Sequence, residues 1–237
     1  MDSKFLGGLA VGIGILVGAG WLGSEIGQGI ESFKDKDRVV TVKGLAEKEV
    51  NANHVIWPLA FAEYGDNLNA VYEAIEKKQA LVIDFLKKGG ITQEEISFAA
   101  PQVVDTASQT YGGNNRPNYR WSITQILTVS SEKVDQVRKL IQEQRNLIKE
   151  GVALTQQYEY MLRYSFTKLN EIKPGMIESA TINAREAAEK FAKDSGSSLG
   201  KIRSANQGVF SITDRDETSP FVKNVRVVTT IQYYLKD

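Results

Sequence analysis

Residues 5–23, "FLGGLAVGIGILVGAGWLG", hold no charged side chain and seven glycines, and they limit what the chain can become more than any other stretch. As a helix the run would rise roughly 28 Å, close to the ~30 Å hydrocarbon core of a bilayer. A secretory signal is the competing reading, and it calls for a basic leader and a small-x-small cleavage site. The leader is only "MDSK", in which Asp2 opposes Lys4, although "VGA" at Val17 to Ala19 could be cut. The uncharged run is also longer than a usual signal core, so the expectation is an uncleaved single-pass anchor, with a cleaved signal kept open. Positive charge does not orient it. Lys4 precedes the span, while Lys34, Lys36 and Arg38 follow at a distance, mixed with Asp35 and Asp37. The expected division is an anchor and juxtamembrane linker over residues 1–37 and one soluble part over residues 38–237.

At about 100° per residue, Gly8, Gly12, Ala19 and Gly23 share one helix face, and Gly7, Gly14 and Gly18 form a second roughly 120° away. Gly8/Gly12 and Gly14/Gly18 have the small-x-x-x-small spacing that lets helices approach closely in lipid. Glycine is common in membrane spans, so plain anchoring stands beside a hypothesis of oligomerisation through Gly8, Gly12, Gly14, Gly18, Ala19 and Gly23.

The chain is balanced in charge, with 29 basic and 29 acidic residues, which argues against nucleic acid as the main partner. The chain has no cysteine, so disulfides and cysteine-ligated zinc are excluded, and its single histidine, His54, builds no multi-histidine metal site. No cofactor is expected. "RVVTVKG" from Arg38 reads as a first strand, and "HVIWPLAFAEY" as a second with Val55, Trp57, Leu59 and Phe61 on one face. Pro58 lacks a ladder donor, which predicts an edge position or a bulge.

Asp66 is the expected cap of a helix from about Asn67 to Lys88, striped by Leu68, Val71, Tyr72, Ile75, Val82 and Leu86 and stopped by Gly89 and Gly90. Two strands, "ISFAAPQVVDTAS" and "YRWSITQILTV", flank the polar loop "TYGGNNRPN"; Tyr119, Trp121, Ile123, Leu127 and Val129 share a face. A second helix is expected from about Ser131 to Lys149, ended by Gly151, with Val134, Val137, Leu140, Ile141, Leu147 and Ile148 inward. "TQQYEYMLRYSF" reads as one alternating strand carrying Tyr158, Tyr160, Leu162, Tyr164 and Phe166 on one side. A third helix, from Pro174 to Ser195, has a stripe of Ala180, Ala184, Ala187, Ala188 and Ala192 with Ile177 and Phe191, suited to close packing on a sheet. Two last strands, about Lys201 to Thr213 and Val222 to Lys236, enclose "DRDETSP". The order helix, glycine turn, strand, polar loop, strand occurs at Asp66 to Val129 and again at Pro174 to Lys236. The fold class is therefore α+β: antiparallel sheets of hairpins backed by about three helices, with a quasi-repeated helix–hairpin unit behind one N-terminal transmembrane helix.

"RVVTVKGLAEKEVNANHVIWPLAF" resembles the opening of the SIMPL-domain proteins, a strand with a "V-x-G-x-A-E" element and a second strand. Here that element is Val42, Gly44, Ala46 and Glu47. "INAREAAEKFAKDSGSSLGKI" is similar to the family's alanine-rich "A-R-x-x-A" helix, with Arg185 as its arginine, and "VRVVTTIQYYL" to its closing strand. The resemblance covers residues 38–237. It implies a bacterial envelope protein without an established enzymatic activity, some relatives being linked to oxidative-stress tolerance and one branch to a ring-shaped, channel-like oligomer. It also implies an inner-membrane location with a periplasmic soluble domain, although many members carry a cleaved signal where this chain has its apparent anchor.

No catalytic constellation is complete. His54 stands at a strand start and reads as a boundary residue. Glu47 and Glu49 share a strand face and could do acid–base work if clefted, but salt-bridged surface carboxylates are the expectation. "DRDE" at Asp214 to Glu217 matches no calcium loop and reads as a hairpin tip. "GGNN" at Gly112 to Asn115 lacks the strand–helix context of a phosphate cradle. Arg185 on an alanine stripe either snorkels or pairs with a carboxylate near the sheet, pairing being the expectation. The functional expectation is a non-catalytic, membrane-anchored homo-oligomer with a structural, stress-protective or channel-like role. Its partner contacts would be the loops Thr110 to Asn118 and Asp214 to Pro220. The alternatives are a tethered ligand-binding domain or enzyme, using Glu47 or Glu49, and an adaptor for another membrane protein.

Overall fold

The computed structural model describes residues 38–108, 117–155 and 161–236, with Gly18 and Trp21 before them. The remainder of residues 5–23, and with it the expected span, lies outside the described residues. Among the described residues no helix is long and apolar enough to cross a membrane. The strands are β1 (Val39–Asn51), β2 (His54–Gly65), β3 (Ile96–Phe98), β4 (Gln102–Asp105), β5 (Trp121–Ser131), β6 (Leu154–Thr155), β7 (Arg163–Ser165), β8 (Ser198–Gln207), β9 (Ser211–Asp214) and β10 (Val222–Lys236). The helices are α1 (Leu68–Lys88), α2 (Val134–Glu143), α3 (Arg145–Lys149) and α4 (Leu169–Asp194). They form two compact units. The outer one takes the chain up to Lys48, Ile172–Ser211 and Arg226–Asp237; the inner one takes Glu49–Glu171 and Ile212–Val225.

One sheet runs β3-β5-β2-β6, with β4 also beside β5 and β7 beside β2; the other runs β1-β10-β8, with β9 beside β10. The quasi-repeat is therefore topological. In each sheet a first strand (β2 or β1) is followed in turn by a helix (α1 or α4), a broken outer strand (β3/β4 or β8/β9) and a last strand (β5 or β10) lying between the two. The inner copy is inserted in sequence between β1 and α4 of the outer one.

In the inner unit β2 and β5 pair antiparallel without a shift from Val55↔Ser131 to Gly65↔Trp121. Val55, Trp57, Leu59 and Phe61 face inward with Ile123, Leu127 and Val129, against Val71, Ile75, Val82 and Leu86 of α1 and Val137, Leu140 and Leu147 of α2 and α3. β2 is neither an edge nor bulged against β5, contrary to the expectation from Pro58. On its other side the described pairings join His54–Ile56 to β7 and Ala60 and Phe61 to β6, so Pro58 stands between them, where no described ladder asks for its missing donor.

Several boundaries move. The α1 cap is Asn67, whose Oδ1 accepts the Ala70 N–H at 3.2 Å, whereas Asp66 accepts the Arg120 N–H at 3.0 Å. Leu68 and Tyr72 are exposed, because the buried stripe starts at Val71. Ser131 closes β5, and the second helix is two pieces meeting at Gln144, with Ile148 exposed. "ISFAAPQVVDTAS" breaks at Ala99–Pro101 into β3 and β4. Of the proposed aromatic strand, residues 156–160, with Tyr158 and Tyr160, lie outside the described residues; among the described ones Thr155 and Arg163–Ser165 are strand and Leu162 is in irregular chain. Pro174 lies inside α4, which begins at Leu169 rather than at the proline.

Three helix ends share one device. Gly90, Gly151 and Gly196 have φ of 80°, 84° and 69°, and the residue after each donates five positions back: Ile91 to Leu86, Val152 to Leu147 and Ser197 to Ala192. Only a left-handed residue lets the chain turn while satisfying those carbonyls, so each glycine has a backbone reason.

Candidate functional site

The residues carrying the family resemblance come together in the outer unit. Val42 and Ala46 point inward from β1, 4% and 7% exposed. Between them Gly44 meets α4 directly: a Cβ there would clash with the Ala180 carbonyl and lie 2.6 Å from the Ala184 nitrogen. Alternation along β1 and the four-residue spacing of Met176, Ala180, Ala184, Ala188 and Ala192 thus build one close contact of helix backbone on sheet. Asn183 fastens the same place by donating from Nδ2 to the Leu45 carbonyl at 2.8 Å.

Glu47 points the other way. Its Oε1 lies 3.6 Å from Arg226 Nε, and Glu49 Oε2 lies 3.6 Å from Arg215 Nη1, so both candidate carboxylates are surface ion pairs. Arg185 pairs with a carboxylate as expected, Glu189 one turn along its own helix at 2.9 Å, both side chains exposed. Beside them Tyr233 is buried, and burial pushes its phenol up; the Arg185 charge works against that and Glu189 adds to it. A cleft of about 430 Å³ opens beside the motif, lined among others by Leu45, Glu47 and Lys48 from β1 and by Ile172, Ser179 and Asn183 from α4. It offers hydrogen-bonding groups, and its one hydroxyl, Ser179 Oγ, donates to the Gly175 carbonyl at 2.9 Å.

His54 does start a strand. Its Nε2 lies 3.1 Å from Ser130 Oγ and its Nδ1 3.5 Å from Ser165 Oγ, so both ring nitrogens face hydroxyls, and among the described residues no carboxylate orients the ring. "DRDE" is a hairpin tip: Asp216 accepts from the Thr218 N–H at 3.0 Å, its Oγ1 at 2.6 Å and Arg215 Nε at 2.8 Å. Those bonds hold the Asp216 carboxyl well below its usual range. Asp214 instead pairs with Lys223, a lysine only 6% exposed. Among the described residues no three acidic or histidine side chains are placed to hold a metal ion. Of the proposed oligomerisation residues, Gly8, Gly12, Gly14, Ala19 and Gly23 lie outside the described residues. Gly18 is described, as helix. Residues 110–116 of the first loop, including "GGNN", also lie outside.

Sequence reasoning missed Gln125. It interrupts the inward series of β5 and is 3% exposed, donating from Nε2 to the carbonyls of Ala99 at 2.8 Å and Ile126 at 3.2 Å. The signal was present as a lone polar residue on an apolar face.

No curated protein matches the chain. A family model, SIMPL, described as "Protein of unknown function (DUF541)", matches residues 40–229 and so covers both sheets from early β1 to well into β10. With the motif strand, the alanine helix and the first half of the closing strand inside that match, the chain belongs to the SIMPL family.

Proposed function

We propose that the protein is a membrane-anchored, non-catalytic envelope protein whose α+β part self-assembles, with a structural, stress-protective or channel-like role. The observation that carries this reading is the pair of edges that the outer sheet leaves without a partner strand among the described residues. β1 and β8 end the strand order on opposite sides of β10. β8 is antiparallel to β10. The Leu235 N–H bonds the Arg38 carbonyl, and Arg226 pairs with Glu47, so β1 is antiparallel to β10 as well. The two edges are therefore different surfaces running the same way. Edge strands template pairing with another chain, and two unlike edges join copies head to tail, the contact that gives rings when the rotation closes.

β8 is exposed along most of its length. Its first half is blunted by register shifts opposite Gln232 to Leu235 and by Lys201 and Arg203, whereas Ser204–Gln207 pair regularly with β10 and carry no charge. Ile202 and Val209 flank that stretch, 51% and 92% exposed. The absence of catalysis is supported by Glu47, Glu49 and His54, which are all engaged at the surface. Light scattering on the full-length protein in detergent tests the reading. The expected result is a multimer that Ile202→Lys with Val209→Lys shifts toward monomer; a strictly monomeric wild type overturns it. Leucine at Gly8, Gly12, Gly14 and Gly18 separates a contribution of the anchor from that of the sheet. A reporter fused after Asp237 that is active in the cytoplasm would overturn the envelope location.

A further inference from the structure

Where β3 gives way to β4, the inner unit has a second, smaller cleft. The chain leaves β5 at Ala99–Pro101, and the break frees the Ala99 carbonyl, which Gln125 Nε2 takes up together with the Ile126 carbonyl. Both amide hydrogens are then used, and the two carbonyl partners fix which end of the amide is nitrogen. The Gln125 Oε1 is left as an acceptor with no partner among the described residues, where the one buried side-chain polar atom lacking a partner is Thr229 Oγ1. Gln125 Oε1 is therefore reached by solvent, and the cleft that Gln125 lines is where solvent meets it.

The cleft measures about 210 Å³, and its walls include Tyr72, Glu76 and Gln79 of α1 with Phe98 and Pro101. Tyr72 and Phe98 are 46% and 45% exposed, large aromatic surface that the core does not use. Glu76 is exposed and has no ion pair among the described residues, and no lysine, arginine or histidine lines the cleft. The volume is smaller than that of drug-sized ligand pockets, about 300–1,000 Å³, and suits a single side-chain-sized group. A carboxylate, a carbonyl acceptor without a donor to spare and two aromatic rings together select a cation that carries N–H donors on an apolar stem.

We propose that this cleft binds the cationic end of an alkylammonium or alkylguanidinium group, with Glu76 and the Gln125 carbonyl as acceptors and Tyr72 and Phe98 as aromatic walls. The site is independent of self-assembly. Its ligand is either a free small amine or a basic side chain of another protein, since both present the same chemistry.

Titration of the full-length protein with butylammonium, butylguanidinium and the neutral isostere butanol tests it, followed by NMR of the Gln125 side-chain amide. Saturable shifts with the two cations and none with butanol are expected. Glu76→Gln should weaken binding at least about tenfold and Phe98→Leu about threefold. Both positions are exposed, so the fold survives either change. Equal binding of butanol, indifference to Glu76→Gln, or no saturable response to either cation overturns the proposal. Tighter binding of a free diamine than of a lysine-containing peptide assigns the site to small amines, and the reverse order assigns it to a protein partner.

Discussion

The two sheets share a central order of first, last and broken strand, to which the inner one adds β6 and β7 beside β2, and they fill it in opposite ways. In the inner unit α1 stands off from its sheet on Val71, Ile75, Val82 and Leu86, over Trp57, Leu59, Phe61, Ile123 and Leu127. In the outer unit α4 lies on Gly44 and meets the sheet through alanines, and the central cluster is Val42, Ala184, Ala188, Ile231 and Tyr233. One topology thus tolerates a thick interlayer of branched and aromatic groups or a thin one in which backbone nearly touches backbone. The strand breaks differ in the same sense. Gln125 bonds the carbonyl freed at Ala99, whereas at Gly208 the chain approaches so closely that a Cβ would lie 2.5 Å from the Val228 carbonyl oxygen. A thick layer fails when atoms are removed, and a thin one fails when atoms are added.

That contrast can be broken experimentally. Phe61→Ala should have the largest effect, about 3–5 kcal/mol, by opening a cavity under a fully buried ring, and the loss should appear first in hydrogen exchange of α1 and β5. Protection lost equally from α4 would show that the two cores do not respond separately. Ala184→Leu should cost about 1–3 kcal/mol and act on α4 and β1 instead, because the wall it meets at Gly44 is backbone. If thermal melting shows Ala184→Leu to be neutral, the thin interlayer has slack and the comparison loses its basis.

The smallest expected effect sharpens the inner side. Burial pushes Glu95 up, but Ser131 Oγ at 2.6 Å, the Thr92 N–H at 2.8 Å and Lys133 Nζ at 2.9 Å outweigh it and hold the carboxyl at about 2, from an ordinary 4.5. A depressed carboxylate stabilises above its unfolded pKa and loses that contribution as pH falls through the folded one. Glu95→Gln should therefore cost about 1–2 kcal/mol at pH 7, with the gap to wild type closing between about pH 5 and 2. A gap that stays constant across that range would mean that the carboxylate charge contributes nothing.

What could be read beforehand follows the same division. Heavy residues alternating on β2 and β10 announce their inward faces unambiguously, and Gly44 with the alanine stripe announces close packing. Apolar residues at element ends do not declare themselves: Leu68, Tyr72, Ile148 and Phe191 fit a helical stripe yet are exposed, because a stripe says nothing of how far the opposing sheet extends. Pro174 misled as a helix start because its φ also fits a helix interior when the one lost hydrogen bond is tolerated. Pairing partners were not legible either, since spacing along the chain cannot reveal that β1 waits for β10. The motif residues serve as packing and surface pairs, and Gln125 is a polar residue on an apolar face whose role only the carbonyl at Ala99 explains.

That nesting has a consequence for how the molecule comes into being. Synthesis runs from the amino end, so β1 emerges early and its neighbour β10 only at the close, Arg38 finding Leu235 across nearly the whole chain. The inner copy needs no such wait for β2, α1 and β5, and contacts near in sequence form faster than distant ones. Until the final strand is delivered, the growing polypeptide would carry a finished inner core and an orphaned opening strand whose unpaired edge is open to wrong partners.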